Sequence, residues 1–149
     1  MVNQSMNFLN TMTKRIRTYS DLRRLETFEE RFDYLILGGQ VGVETFGFDR
    51  WVNQNFYTST EWRRVRRDVI VRDQGRDLGV EGYEVNGAVV VHHMNPMTPD
   101  DIIHDNSDIL DPEFLITVSI DTHNAIHFGD AAKLRTPYVE RSPGDTKLW

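Results

Sequence analysis

Two stretches decide how this chain is read: Val89–Pro96, VVVHHMNP, and Phe114–Asp130, FLITVSIDTHNAIHFGD, which together hold four of the five histidines. The first begins with β-branched residues, the composition of a strand, and ends on the adjacent pair His92-His93. The second begins with another apolar run, Phe114 to Ser119, read as a second strand. It passes into a helix that Asp121 or Thr122 starts and that reaches Ala132. His123 and His127 stand one turn apart on the same face of that helix. Histidine is both a ligand for borderline-soft metals and a usable base near neutral pH. Three imidazoles suffice to hold a cation while the fourth works on water. The mixture of strands and helices predicts an α+β fold.

Upstream, Ser59 to Val71 carries Trp62, Val65, Val69 and Ile70 at helical spacing, with Ser59 or Thr60 as N-cap and Glu61 near the positive helix end. Arg63, Arg64, Arg66 and Arg67 project from its remaining surface. An earlier helix is predicted from Tyr19 to Leu37. Thr18 and Asp21 have capping-box spacing, Leu22, Leu25, Phe28, Phe32, Leu35 and Ile36 make its apolar stripe, and Gly38-Gly39 stops it. The residues from there to Tyr57 mix glycine with Phe46, Phe48, Trp51, Phe56 and Tyr57, which predicts an irregular segment pinned by large rings. A glycine-bearing loop from Gln74 to Glu81 leads to Glu84-Val85. Asn86-Gly87 then predicts a tight turn pairing those residues with Ala88–His92 as a hairpin. A short helix is expected near Pro99–His104, before an acidic connection to Pro112. The expected organisation is a helical and irregular N-terminal arm over 1–58, a core over 59–133 and an extended tail over 134–149, together one compact domain.

A chain of 149 residues can bury a core without a metal to make it fold. Its apolar share, 39%, is low for a globular domain, but three tryptophans and eight phenylalanines argue against disorder. Cysteine is absent, which removes disulfides and thiolate metal sites and fits a reducing compartment. No apolar run has the length of a membrane span and no signal pattern follows Met1. The chain is therefore expected to be soluble and intracellular, with no membrane partner. A net charge of −6 speaks against a uniformly basic nucleic-acid binder, yet the charge is unevenly placed. Glu61 to Arg76 holds six arginines against three acids, whereas Met97 to Glu113 holds six acids and neither lysine nor arginine. Local sign matters more than the sum where a ligand touches one face.

The order of strand ending in His-His, loop, strand and helix with His-x3-His resembles the ββα-metal core, or His-Me finger, of HNH endonucleases. The strings VVVHHMNP, LDPEFLITVSIDTHNAIHFGD and the helix STEWRRVRRDVIVRD carry the resemblance, which covers about Ser59 to Asp130; THNAIHFGD is especially similar to bacteriophage HNH proteins. It implies N-terminal helices packed around a ββα-metal core. It further implies a phage-encoded, metal-dependent DNA endonuclease working in the host cytoplasm, in genome processing or packaging beside the terminase. Residue by residue, it implies that His92, His123 and His127 bind one divalent ion (Zn²⁺, Ni²⁺, Mn²⁺ or Mg²⁺) and that His93 is the general base. Adjacent strand residues point to opposite sides, which agrees with that division unless the strand bends into its loop. Two features depart from the family. Phe114 stands where the family places an asparagine that braces the loop, a role left to Asn95, Asn106 or Asn124; and the cysteine pairs of a structural zinc are missing.

Other readings stay beside this one. His104 has no partner in the pattern and reads as an ordinary local histidine. The arginine helix reads equally as a solvated face or as a phosphate-contacting one, with Arg66, Arg67 and Arg72 the candidates for DNA contact. The acidic stretch lacks the spacing of a calcium loop. Besides the nuclease, two function classes remain: a binding or structural phage module that keeps the frame without catalysis, and another three-histidine metallohydrolase.

Overall fold

The structure, a computed structural model, describes residues 16–37, 48–80, 83–85 and 87–134. In chain order its elements are helices α1 (Tyr19–Leu22), α2 (Phe28–Leu35), α3 (Phe48–Thr58) and α4 (Thr60–Arg72), the short strands β1 (Arg76–Asp77) and β2 (Tyr83–Glu84), strand β3 (Val89–His93), helix α5 (Pro99–Ile103), strand β4 (Leu115–Ser119) and helix α6 (Ile120–Phe128). The class is α+β, as the sequence predicts. β3 and β4 pair antiparallel, with His92 opposite Ile116 and His93 opposite Leu115. β1 and β2 form a second two-stranded sheet.

Facing residues of an antiparallel pair share one side of the sheet, so β3–β4 sends apolar side chains both ways. Val90, Ile116 and Val118 pack with Leu22, Phe32, Leu35, Met94, Ala125 and Ile126, the core that α1, α2 and α6 close over. Val91 and Leu115 pack with Phe56, Trp62, Val69 and Ile109, the core beneath α3 and α4. This is why Leu115 to Val118 reads as an unbroken buried run, the signature of a strand covered on both faces. Each core draws side chains from both sides of the expected boundary at 58/59, so the N-terminal helices belong to the same body as the strands.

Several local expectations are corrected. The helix expected over Tyr19–Leu37 is two helices, because Thr27 and Glu30 form a complete capping box that starts α2 anew. α2 ends at Leu35, ahead of the glycines. Arg17 donates there to the carbonyls of Tyr34 and Ile36, satisfying acceptors at the helix end. The segment expected to be irregular up to Tyr57 contains α3, whose eleven residues include neither glycine nor proline. The expected hairpin across Asn86-Gly87 does not form. β2 pairs with β1, and β3 takes the more apolar β4 as its partner; Asn86 itself lies outside the described residues. The last helix begins earlier than expected, with Ser119 as N-cap, and stops at Gly129, whose φ of 64° is the left-handed C-cap that favours glycine. Of the expected arm over 1–58, residues 1–15 and 38–47 lie outside the described residues, as does the tail beyond Leu134. Helix α4 and the short α5 are found where the sequence placed them, with Ser59 capping α4 through the Trp62 amide.

Candidate metal centre

Ser119 is at once the last residue of β4 and the N-cap of α6, so no linker separates them. The helix therefore turns back over the face of β3 that carries His92. The ring of His92 lies 5.4 Å from that of His123 and 5.0 Å from that of His127, centroid to centroid, and His123 lies 4.3 Å from His127. One nitrogen from each ring is within 4.8 Å of the other two. Nitrogens sharing a tetrahedral cation at about 2.1 Å stand about 3.4 Å apart, so the three rings converge at the scale of a metal site.

The electrostatics favour ligand-ready imidazoles. Burial pushes His92 well below the ordinary histidine value, and the positive potential of His127, His123, His93 and Arg17 pushes it the same way. Burial also lowers His123 and His127; a hydrogen bond that His123 donates to the Asn124 side chain partly offsets the shift at His123. All three are thereby kept neutral, the form that binds metals. His92 is 2% exposed, and its Nε2 is buried without a hydrogen-bond partner among the described residues. Leaving such an atom unmatched costs about 1–3 kcal/mol. A cation placed among the three rings would satisfy it, so the donor set fits a divalent ion.

His93 faces the other core. Its ring stacks on Trp62, 5.1 Å away at 16°, with Phe56 at 6.0 Å and Tyr57 at 6.5 Å. Its Nε2 is 2.9 Å from the carbonyl oxygen of Ile109. Burial lowers its pKa, and the bond to Ile109 opposes that shift. Because β3 ends at His93, both members of the pair still reach one cleft. That cleft, of about 490 Å³, is lined by His92, His93, His123 and His127 with Leu37, Tyr57, Val91, Pro96 and Met97.

The helix that carries two of the rings is held by a carboxylate that no sequence motif singles out. Asp77 is 3% exposed. It accepts from the amides of Gly79 and Val80 on one side and from the Ser119 amide and the Thr122 hydroxyl on the other. Gly79 completes the clamp: a Cβ there would stand 2.5 Å from Thr122 Cγ2, so only glycine lets the loop close on α6. Asp73 does the same for β4, accepting from the Thr117 amide. A buried aspartate and a solvated one look alike in a single sequence, which is why neither was found.

The supporting residues divide. Asn124 acts on His123, as noted. Asn95 makes a two-way bridge to the backbone of Arg17, accepting from its amide at 2.8 Å and donating to its carbonyl at 2.9 Å. It thus ties the start of the described chain to the loop after His93. Asn106 caps the turn over Ser107–Leu110 and donates to Asp101. Phe114 lines a smaller cavity, of about 260 Å³, on whose wall His93 also lies.

The arginine candidates also divide. Arg72 donates to Asp73 and to the carbonyls of Pro112 and Leu115, and lies 3.6 Å above the Tyr19 ring. Four of its five donors are thereby engaged within the protein. Arg66 donates to the Val89 carbonyl, at the far end of β3 from the histidines. Arg67 is exposed, 3.8 Å from Asp68. Among the described residues no helix is long and apolar enough to cross a membrane. Compared with known proteins, the chain matches no family model, no curated protein and no solved structure.

Proposed function

We propose that the chain is a metal-dependent DNA endonuclease of the HNH, ββα-metal type, with His92, His123 and His127 as ligands of one divalent ion and His93 as general base. The observation that carries this reading is the convergence of three imidazoles beside a fourth, from the next position of the same strand, that lines the same cleft. The order of elements around them, antiparallel strands followed directly by the histidine-bearing helix, supports it.

A carbonyl oxygen only accepts hydrogen bonds, so the His93 ring carries its proton on Nε2, facing Ile109, and keeps a lone pair on Nδ1. Burial holds that ring unprotonated at neutral pH, as a base requires. Nδ1 takes a proton from water as the water oxygen bonds to phosphorus. The bond from phosphorus to the 3′ oxygen breaks in line, and that oxygen takes a proton from solvent. His92, His123 and His127 would hold a divalent ion, which would supply charge stabilisation to the reaction. Trp62 fixes the plane of the His93 ring, and Ile109 fixes its tautomer. Three neutral nitrogens favour Zn²⁺, Ni²⁺ or Mn²⁺; Mg²⁺ would complete its shell with water and phosphate oxygens. The sequence likeness extends the reading to a phage enzyme in the host cytoplasm, acting on the genome during processing or packaging with the terminase.

Plasmid nicking with and without EDTA tests this. Cleavage that needs metal, and that His93→Ala abolishes while metal binding persists, is the expected result. A second reading, a phage module that keeps the frame without catalysis, is favoured by Phe114 at the place of the family's asparagine. Metal binding by the native chain with no cleavage of DNA would establish it in place of the first.

A further inference from the structure

The cleft is larger than a cation and one phosphate require, and its remaining wall is apolar and aromatic: Leu37, Tyr57, Val91, Pro96 and Met97. Tyr57 is the distinctive member. It is 45% exposed, yet its ring is held edge-on by Phe56 at 5.1 Å and by Trp62 at 5.4 Å, and neither neighbour stacks on it. Burial pushes its phenol up from the ordinary value, so the ring stays neutral. A fixed, neutral, part-exposed ring beside a phosphate-binding centre is a platform for a base. The charges around it argue against a duplex, which brings one negative charge per about 1.7 Å of axis. Arg72 and Arg66 are engaged with protein acceptors. Asp101 and Asp108 line the smaller cavity, which shares His93, Pro96 and Met97 with the cleft.

We propose that this apolar wall is a nucleobase subsite, in which Tyr57 stacks an unpaired base next to the scissile phosphate, and that the substrate is single-stranded DNA in preference to duplex. The inference rests on the nuclease reading above and names its substrate class. Base–aromatic stacking here replaces the phosphate contacts that a broad basic face would supply. Tyr57 is a specificity-determining residue and takes no part in the proton transfers.

The test is steady-state cleavage, with Mn²⁺, of a 12-nucleotide single strand, of the same sequence as a blunt duplex, and of single strands with one abasic position moved along the chain. The native chain is expected to cut the single strand with kcat/KM at least tenfold above the duplex. Tyr57→Ala should raise KM for the single strand by about 5- to 150-fold, the span that loss of one stacked base predicts. Tyr57→Phe should retain the native KM, and both variants should bind Mn²⁺ in calorimetry like the native chain. An abasic position next to the cut bond should bring the native chain to the level of Tyr57→Ala. Equal or better cutting of duplex, or no response of the single-strand KM to Tyr57→Ala, overturns the subsite and leaves the nuclease reading standing. If no DNA is cut while Mn²⁺ binds, both fall.

Discussion

His92 and His93 are neighbours on one strand, and the two sides of the sheet treat them oppositely. On the His92 side the buried ring packs edge-on against two further imidazoles, and its Nε2 finds no hydrogen-bond partner among the described residues. On the His93 side the ring lies on tryptophan and its Nε2 meets a backbone carbonyl. Burial depresses both pKa values, but only at His93 does a hydrogen bond work against the shift. One residue of strand alternation thus separates a buried nitrogen left unpartnered among the described residues from a ring already oriented by the protein. Position on the pleat, not residue type, sets the two environments.

The sharpest way to break that contrast is to remove each ring in turn. His92→Ala or His123→Ala should abolish metal retention, read by ICP-MS stoichiometry, and cleavage should disappear with it. His93→Ala should retain full stoichiometry while cleavage falls about 10²- to 10⁴-fold, the range for loss of a general base. Loss of metal from His93→Ala would erase the distinction between the two sides.

Positioning on the His92 side comes next. Asp77→Asn replaces one of two oxygens that each accept from two donors, so two of the four donors face an NH2 group that cannot accept, which loosens α6. Metal affinity by calorimetry should fall about 10- to 100-fold, as for groups that orient ligands, with a lowered Tm. On the opposite side, Trp62→Ala should cost about 3–5 kcal/mol in denaturant unfolding yet leave metal affinity near native in the fraction that folds.

The smallest effect concerns pH. In the metal-free protein the four rings have folded pKa values below the ordinary histidine value of 6.5. The unfolded chain then binds protons that the folded chain refuses. Stability should be full above about 6.5 and decline as pH falls toward the folded values, with a slope approaching about 1.4 kcal/mol per pH unit for each ring kept neutral. Bound metal should delay the decline. Thermal melts in EDTA between pH 7.5 and 5, with His92→Phe as comparison, would show it; a flat profile in EDTA would remove the buried neutral ring from the account.

The parts of the fold legible in the sequence were those with local signals. Ser59 announced α4, Thr98–Pro99 lies where a short helix was expected, and the two histidine segments were read as strand, strand and helix. The failures came from competition between signals. Thr27-Phe28-Glu29-Glu30 was a second helix start hidden inside a long apolar periodicity. Asn86-Gly87 is a strong hairpin signal, but Glu84 is exposed, whereas Leu115–Val118 offers β3 a buried partner on both faces. Glycine-rich flanks masked α3, and with it Tyr57. At the site, the four histidines were legible because their spacing is periodic. Asp77, Asp73 and the carbonyl of Ile109 were not, because their roles come from contacts between residues far apart in the chain.

The junction at Ser119 sets a rule for how this protein can vary. A helix advances about 100° per residue, so a single amino acid inserted between strand and helix would swing both imidazoles of α6 around its axis and away from the sheet. The segment between His93 and Leu115 crosses turns and a short helix and can change length without that penalty. The histidine frame is therefore least forgiving of a change in length at this junction, which is a single peptide bond long.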